Sequence, residues 1–194
     1  MAAFITPVEV TPGTAAAWTD VDVSAQVPSG ATGVILHIHA TTAQDVGVRK
    51  NGSTDNRVTQ MQSAAGHQWA AIGLDANRIF EGYVGSITDV NIDLVGYCTT
   101  DAVFFTNAVD KSLGSTGVYV DIDIATDTGA DTAIAAIIEE IRTTGNSFQF
   151  ALRKNGSTDD RSNTRPHAWA VIGVDGTELC EGQIGNLVVD FFLV

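Results

Sequence analysis

Val46-Gly47-Val48-Arg49-Lys50-Asn51-Gly52-Ser53-Thr54-Asp55 decides how this chain is to be read. A strand puts successive side chains on opposite faces, and Asn-Gly after such a run is a strong hairpin signal. A tight type I′ turn needs positive φ at both central residues, which Asn and Gly tolerate best. The stretch from Arg49 to Asp55 returns letter for letter as Arg153-Lys154-Asn155-Gly156-Ser157-Thr158-Asp159. A turn spelled twice makes the search for further repetition the next step.

The neighbouring landmarks repeat at a similar spacing. His67-Gln68-Trp69-Ala70-Ala71-Ile72-Gly73-Leu74-Asp75 matches His167-Ala168-Trp169-Ala170-Val171-Ile172-Gly173-Val174-Asp175, and Glu81-Gly82-Tyr83-Val84-Gly85 matches Glu181-Gly182-Gln183-Ile184-Gly185. Upstream, Trp18-Thr19-Asp20-Val21-Asp22-Val23 matches Tyr119-Val120-Asp121-Ile122-Asp123-Ile124, and Phe4-Ile5-Thr6 matches Phe104-Phe105-Thr106. The chain therefore reads as an internal duplication, with repeats over 3–99 and 103–194. Each is of ordinary domain size, and two repeats of this length are too few and too long for a solenoid.

Within each repeat, short runs rich in Val, Ile, Thr and aromatics alternate with period two between Gly, Pro, Asn and Asp clusters. Asp20 and Asp22 fall on one face of their run and Val21 and Val23 on the other, and Asp121, Asp123, Ile122 and Ile124 repeat the arrangement. The expectation is an all-β protein: two tandem antiparallel β-sandwich domains, jelly-roll-like, with seven or eight strands apiece. One segment dissents. Asp131 to Arg142 is rich in helix formers, yet its counterpart, Gly33 to His39, alternates as a strand; strand is expected over Ile137–Arg142, with room for a short helical insertion before it.

Composition narrows the function classes. Of 194 residues, 44% are hydrophobic, which suffices for packed cores, and the formal charge of −13 leaves too few cations to neutralise phosphates. Nucleic acid and anionic membranes are not expected partners. No apolar run approaches the ~18 residues of a membrane span, and the first residues do not read as a secretory signal, so the expectation is a product made in a cytoplasm. Cys98 and Cys180 form no Cys-x-x-Cys pair and read as plain thiols.

Candidate chemistry is sparse. Arg49 and Asp55, with Arg153 and Asp159, could grip a polar ligand, but pairing across the hairpin, with Arg57 and Arg161 as further partners, is the simpler use. His67 and Trp69, and likewise His167 and Trp169, share a strand face opposite Ile72 or Ile172. A Trp beside polar groups can stack a sugar ring, so these four residues are the candidate ligand-binding positions, against the alternative of packing or an inter-subunit contact. His37 and His39 share a face as a metal pair would, but the second repeat carries Glu140 and Arg142 at the positions assigned to them, and no metal or other cofactor is expected. No nucleophile elbow, phosphate loop or His-Glu-x-x-His is present, Glu81 and Glu181 are single acids, and Cys180 falls at the place of Phe80; no catalytic residues are assigned and an enzyme is not expected.

Together the strings W-T-D-V-D-V, P-S-G-A-T-G-V-I-L, V-G-V-R-K-N-G-S-T-D-x-R, H-x-W-A-x-I-G-[LV]-D and E-G-x-[VI]-G resemble a β-sandwich module of structural proteins in tailed bacteriophages and related viruses. The resemblance covers most of both repeats. It implies a virion structural protein, a capsid decoration or cement protein or another particle component, whose partners are other virion proteins and further copies of itself, with a trimer suggested by the duplication. The second repeat departs from the pattern over Gly129 to Arg142 and lacks the aromatics of Phe80 and Tyr83.

Overall fold

The computed structural model describes residues 2–61, 66–129, 132–142 and 148–194. The chain divides into two compact units, Met1–Ala108 with Val194, and Val109–Leu193. Residues 103–108, grouped by sequence pattern with the second repeat, pack with the first unit.

In the first unit the strands are β1 (Ala2–Glu9), β2 (Thr19–Asp22), β3 (Gly33–Ala40), β4 (Asp45–Lys50), β5 (Thr59–Gln60), β6 (Gly66–Gly73), β7 (Ile79–Val84) and β8 (Val90–Cys98). They form two antiparallel sheets, ordered β1-β8-β3-β6 and β2-β7-β4-β5, which is the strand order of a jelly-roll sandwich. The alternation seen in sequence is what closes it. Val34, Leu36 and Ile38 of β3 and Ile92 and Leu94 of β8 are buried, as are Val46, Val48, Phe80 and Val84 of the other sheet. Each fully buried side chain of this size contributes about 1.5–3 kcal/mol. Asp20 and Asp22 point outward on either side of buried Val21.

The second unit holds β9 (Val109–Asp110), β10 (Val120–Asp123), β11 (Ala135–Arg142), β12 (Phe150–Lys154), β13 (His167–Gly173), β14 (Leu179–Ile184) and β15 (Val189–Leu193). Its sheets are ordered β13-β11-β15-β9 and β10-β14-β12, the same succession among its described residues apart from a counterpart of β5. Ile122, Ile138, Cys180, Ile184 and Phe191 make the core.

No helix occurs among the described residues, so none there is long and apolar enough to cross a membrane. The helix-forming letters before Arg142 become strand β11, which pairs with β13 on one side and β15 on the other. Ladder bonds to two neighbours outweigh a propensity difference of about 0.7 kcal/mol per residue or less. Ala130 and Asp131, where part of the optional helical insertion was expected, lie outside the described residues.

Candidate functional site

The repeated turn is built alike in both units. Ser53 N donates to Lys50 O (3.1 Å) and Ser157 N to Lys154 O (3.0 Å), closing four-residue turns with φ of 81° at Gly52 and 75° at Gly156. Asn51 and Asn155 keep negative φ, so the turn is not the type I′ expected from sequence; positive φ at the third residue alone is the pattern of type II. The chain does not double back at once either. β4 hydrogen-bonds β7 along its length and meets only the short β5 near Asp45. The strand that follows the turn, β5, pairs with β4 on the side away from β7, but only at Asp45 and Val46.

The arginines are spent on this architecture. Arg49 donates from Nε to Glu81 Oε2 (2.9 Å), from Nη2 to Glu81 Oε1 (3.1 Å) and from Nη1 to the carbonyl of Asp55, with its guanidinium 4.2 Å from the Trp18 ring centroid. Arg153 repeats this with Glu181 Oε2 (2.8 Å), the Asp159 carbonyl (2.9 Å) and the Tyr119 ring (3.5 Å). Both arginines thus reach a backbone carbonyl and a carboxylate on the neighbouring strand, rather than the Asp side chain across the turn. Asp55 and Asp159 pair instead with Arg57 and Arg161. Arg49→Ala strands the Glu81 carboxylate with its partner gone, and the expected loss is about 2–3 kcal/mol in urea unfolding, of which Arg49→Lys recovers only part because an ammonium cannot bridge both oxygens.

Asp75 and Asp175, quoted within the repeated motif but assigned no role by sequence, turn out to brace the same turn. Asn51 Nδ2 donates to Asp75 Oδ2 (2.8 Å) and Asn155 Nδ2 to Asp175 Oδ2 (2.7 Å). Their other oxygens accept the backbone N–H of Ile79 and Asn77, or of Leu179 and Thr177. Partial burial works against the Asp75 charge, but these hydrogen bonds together hold its carboxyl below the ordinary range; at Asp175 the Leu179 N–H leads the same effect. Their equal spacing from the tryptophans was the available signal.

The His–Trp faces differ between units. In β3 and β6, His37 stands opposite Trp69 and His39 opposite His67. His37 Nε2 and His67 Nδ1 are 2.9 Å apart, the His67 ring stacks on both His37 and His39, and Trp69 lies 4.9 Å from His37 and is 56% exposed. Asp93 of β8 reaches His37 Nδ1 at 3.6 Å. In the second unit the register sets Glu139, not Glu140, opposite Trp169, and Ile141, not Arg142, opposite His167. The sequence alignment was thus one residue out, which exchanges the two sheet faces. Glu139 Oε1 meets His167 Nε2 at 2.7 Å with both side chains fully buried, and His167 stacks at 4.1 Å on a half-buried Trp169. The four candidate residues are therefore brought together in pairs within each unit, His67 and Trp69 exposed, His167 buried and Trp169 half-buried.

No family model matches this chain, and no curated protein sequence matches it. Among the described residues, no three His, Cys, Asp or Glu side chains converge to hold a metal ion. Cys98 and Cys180 are free and buried, and burial raises both thiols, Cys180 to about 11. A thiol so shifted is a packing group, as the fully buried Phe80 is at the matching place.

One element near the turn escaped the sequence reading. Residues 99–108 run back over the first unit: Lys50 Nζ donates to Phe104 O (2.9 Å), Ser53 Oγ and Thr54 N to Asn107 Oδ1 (3.0 and 2.8 Å), and Ala108 N to Asp55 Oδ2 (2.8 Å). Thr32 Oγ1 donates to Thr99 O and Ala102 O (2.9 and 2.8 Å). The Phe104 ring lies on the backbone of Gly33 and Gly73, so close that a Cβ on Gly33 would stand 2.2 Å from it. The turn motif of this unit is thus a receptor for an irregular segment that turns at Thr99–Ala102 and bends at Thr106 and Asn107.

Proposed function

We propose that this chain is a non-enzymatic structural component of a virus particle, a capsid decoration or cement protein or another phage particle component, working through protein–protein contacts. The observation that carries this reading is the placement of exposed apolar side chains: Phe4 on β1 and Trp69 on β6 of the first unit, and Val171 on β13 of the second. These three lie on sheets, with Ile87, Val103, Val118, Ile134 and Leu187 exposed in loops, while the repeated polar residues Arg49, Asn51, Arg153 and Asn155 are engaged in holding turns. Apolar groups on sheet surfaces, within a strongly acidic surround that resists aggregation, suit contacts with other proteins. The phage resemblance of the repeated strings supplies the particle.

Mass spectrometry and imaging of purified particles from the source of this sequence test the proposal. The chain is expected at stoichiometric, symmetry-related positions; its absence from particles while abundant in the infected-cell lysate would overturn it. Sedimentation velocity is expected to show a trimer, and a strict monomer at high concentration would remove the oligomer from the reading.

A second reading, carbohydrate binding, is favoured by the exposed Trp69 ring with His37 and Asp93 beside it. A glycan array with selective binding abolished by Trp69→Ala would establish it in place of the first.

A further inference from the structure

The receptor that holds residues 104–108 in the first unit is spelled again in the second. Lys154, Ser157, Thr158 and Asp159 stand where Lys50, Ser53, Thr54 and Asp55 stand, on the same turn closed by the same hydrogen bond. Gly173 takes the place of Gly73 at the end of the edge strand. In the first unit the groove is filled, which leaves Ser53 buried and Lys50 and Asp55 half-buried; in the second, Lys154 and Asp159 are exposed and Ser157 is half-buried. A Cβ on Gly73 would stand 2.6 Å from Phe104 Cβ, whereas one on Gly173 would meet, among the described residues, only Lys154 Cδ at 3.6 Å and the Ile134 carbonyl at 4.0 Å. Ile134, at the place of Thr32, is 86% exposed.

We propose that the second unit binds, in this open groove, a polypeptide segment from outside residues 1–194 that carries an aliphatic residue followed three positions later by Asn. The chemistry of the occupant follows from the filled copy. Lys154 Nζ donates to the carbonyl of the apolar residue, Ser157 Oγ and the Thr158 N–H donate to the Asn side-chain oxygen, and Asp159 accepts the N–H of the residue after it. Gly173 lets the segment's Cβ approach the sheet closely.

One difference sets the specificity. The tip of Phe104 rests on Gly33, and the residue at that register position in the second unit is Ala135. Its methyl group occupies the space of the ring tip, so a Leu or Val fits where Phe does not. A further copy of this chain could deliver its own Phe104 only by releasing it from its first unit, which disfavours self-exchange as the source. The inference is independent of the virion reading, since it follows from the two grooves alone.

The probe is the decapeptide of residues 99–108, TTDAVFFTNA, and its form with Leu in place of Phe104, titrated into the intact chain by calorimetry and by backbone NMR. The Leu peptide is expected to bind at one site with shifts at Lys154, Ser157, Thr158 and Gly173, and to weaken about tenfold or more in Asp159→Ala and when the peptide's Asn becomes Ala. Ala135→Gly is expected to reverse the preference in favour of the Phe peptide. Gly173→Val, at an uncrowded position, is expected to block both peptides while leaving the thermal unfolding profile in place. Absence of saturable binding, binding that survives both Gly173→Val and Asp159→Ala, or shifts confined to residues 50–55 would overturn the proposal, as would self-association of the chain that the peptide fails to compete.

Discussion

Glu140→Ile is expected to raise the stability of the second unit at pH 8 by about 3 kcal/mol or more, and to remove the pH dependence expected of the natural chain. Glu140 lies on the face of β11 that carries buried Ala136 and Ile138, is 1% exposed, and among the described residues neither carboxyl oxygen has a hydrogen-bond partner. Burial pushes its pKa up to about 8; the Arg142 charge opposes the rise, and the Glu139 and Asp190 carboxylates add to it. In the unfolded chain the group titrates near its ordinary value of 4.5. Between these values the folded state keeps a proton that the unfolded state has released. Stability therefore falls as pH rises through that window, by about 1.4 kcal/mol per unit, and levels off above the folded pKa. The equivalent position in the first unit, by strand register, is the fully buried Ile38. Urea unfolding from pH 5 to 9 checks this: the natural chain should weaken progressively and Glu140→Ile should not. A flat profile in the natural chain would show the carboxylate to be solvated or paired. Glu140→Gln should lose the slope but gain less, since an unpaired amide still costs free energy inside an apolar layer.

Gly33→Ala is expected to unseat residues 104–108 and cost the first unit about 2–4 kcal/mol. The added methyl would stand 2.2 and 2.5 Å from two Phe104 ring atoms and 2.8 Å from the carbonyl oxygen of Ile72. β3 is held between β6 and β8, so its backbone cannot retreat, and the ring, buried in the natural chain, must swing out. With it go the Lys50–Phe104 and Ser53–Asn107 hydrogen bonds. Hydrogen exchange gives a local readout: the amides of Thr54 and Ala108, protected through Asn107 and Asp55, should exchange much faster in the variant. Gly173→Ala, with no such ring above it, should leave the second unit near its natural stability. Unchanged exchange at Thr54 in Gly33→Ala would mean that the segment is held without Phe104.

How far the letters reached depends on what kind of contact each residue makes. Alternation in Val34 to Ala40 and in Val90 to Leu94 announces a sheet face because burial on one side of a pleat imposes period two whatever the partner strand. The positions of Arg49 and Arg153 were visible, but their Glu81 and Glu181 partners were not, because cross-strand neighbours far apart in sequence leave no local trace. The same applies to Asp75 and Asp175, which were read as letters of a repeat and serve as braces for Asn51 and Asn155. At β11 a shift of one residue moved Glu140 from the outer face to the core and Glu139 to the side of His167. Letter matching had no way to settle that register, since β11 departs from β3 in nearly every residue and only pairing with β13 aligns them.

From residues alone came the all-β class, the seven or eight strands that each unit has among its described residues, and the sites of the repeated turns, because these follow from short-range periodicity and from the positive φ that Gly52 and Gly156 accept. Tertiary structure decided which carboxylate each arginine meets, which acid is trapped in the core, and that residues 99–108 lie across the first unit rather than the second. Such outcomes depend on which strands become neighbours, a choice made by burial summed over a whole sheet and recorded in no single stretch of the chain.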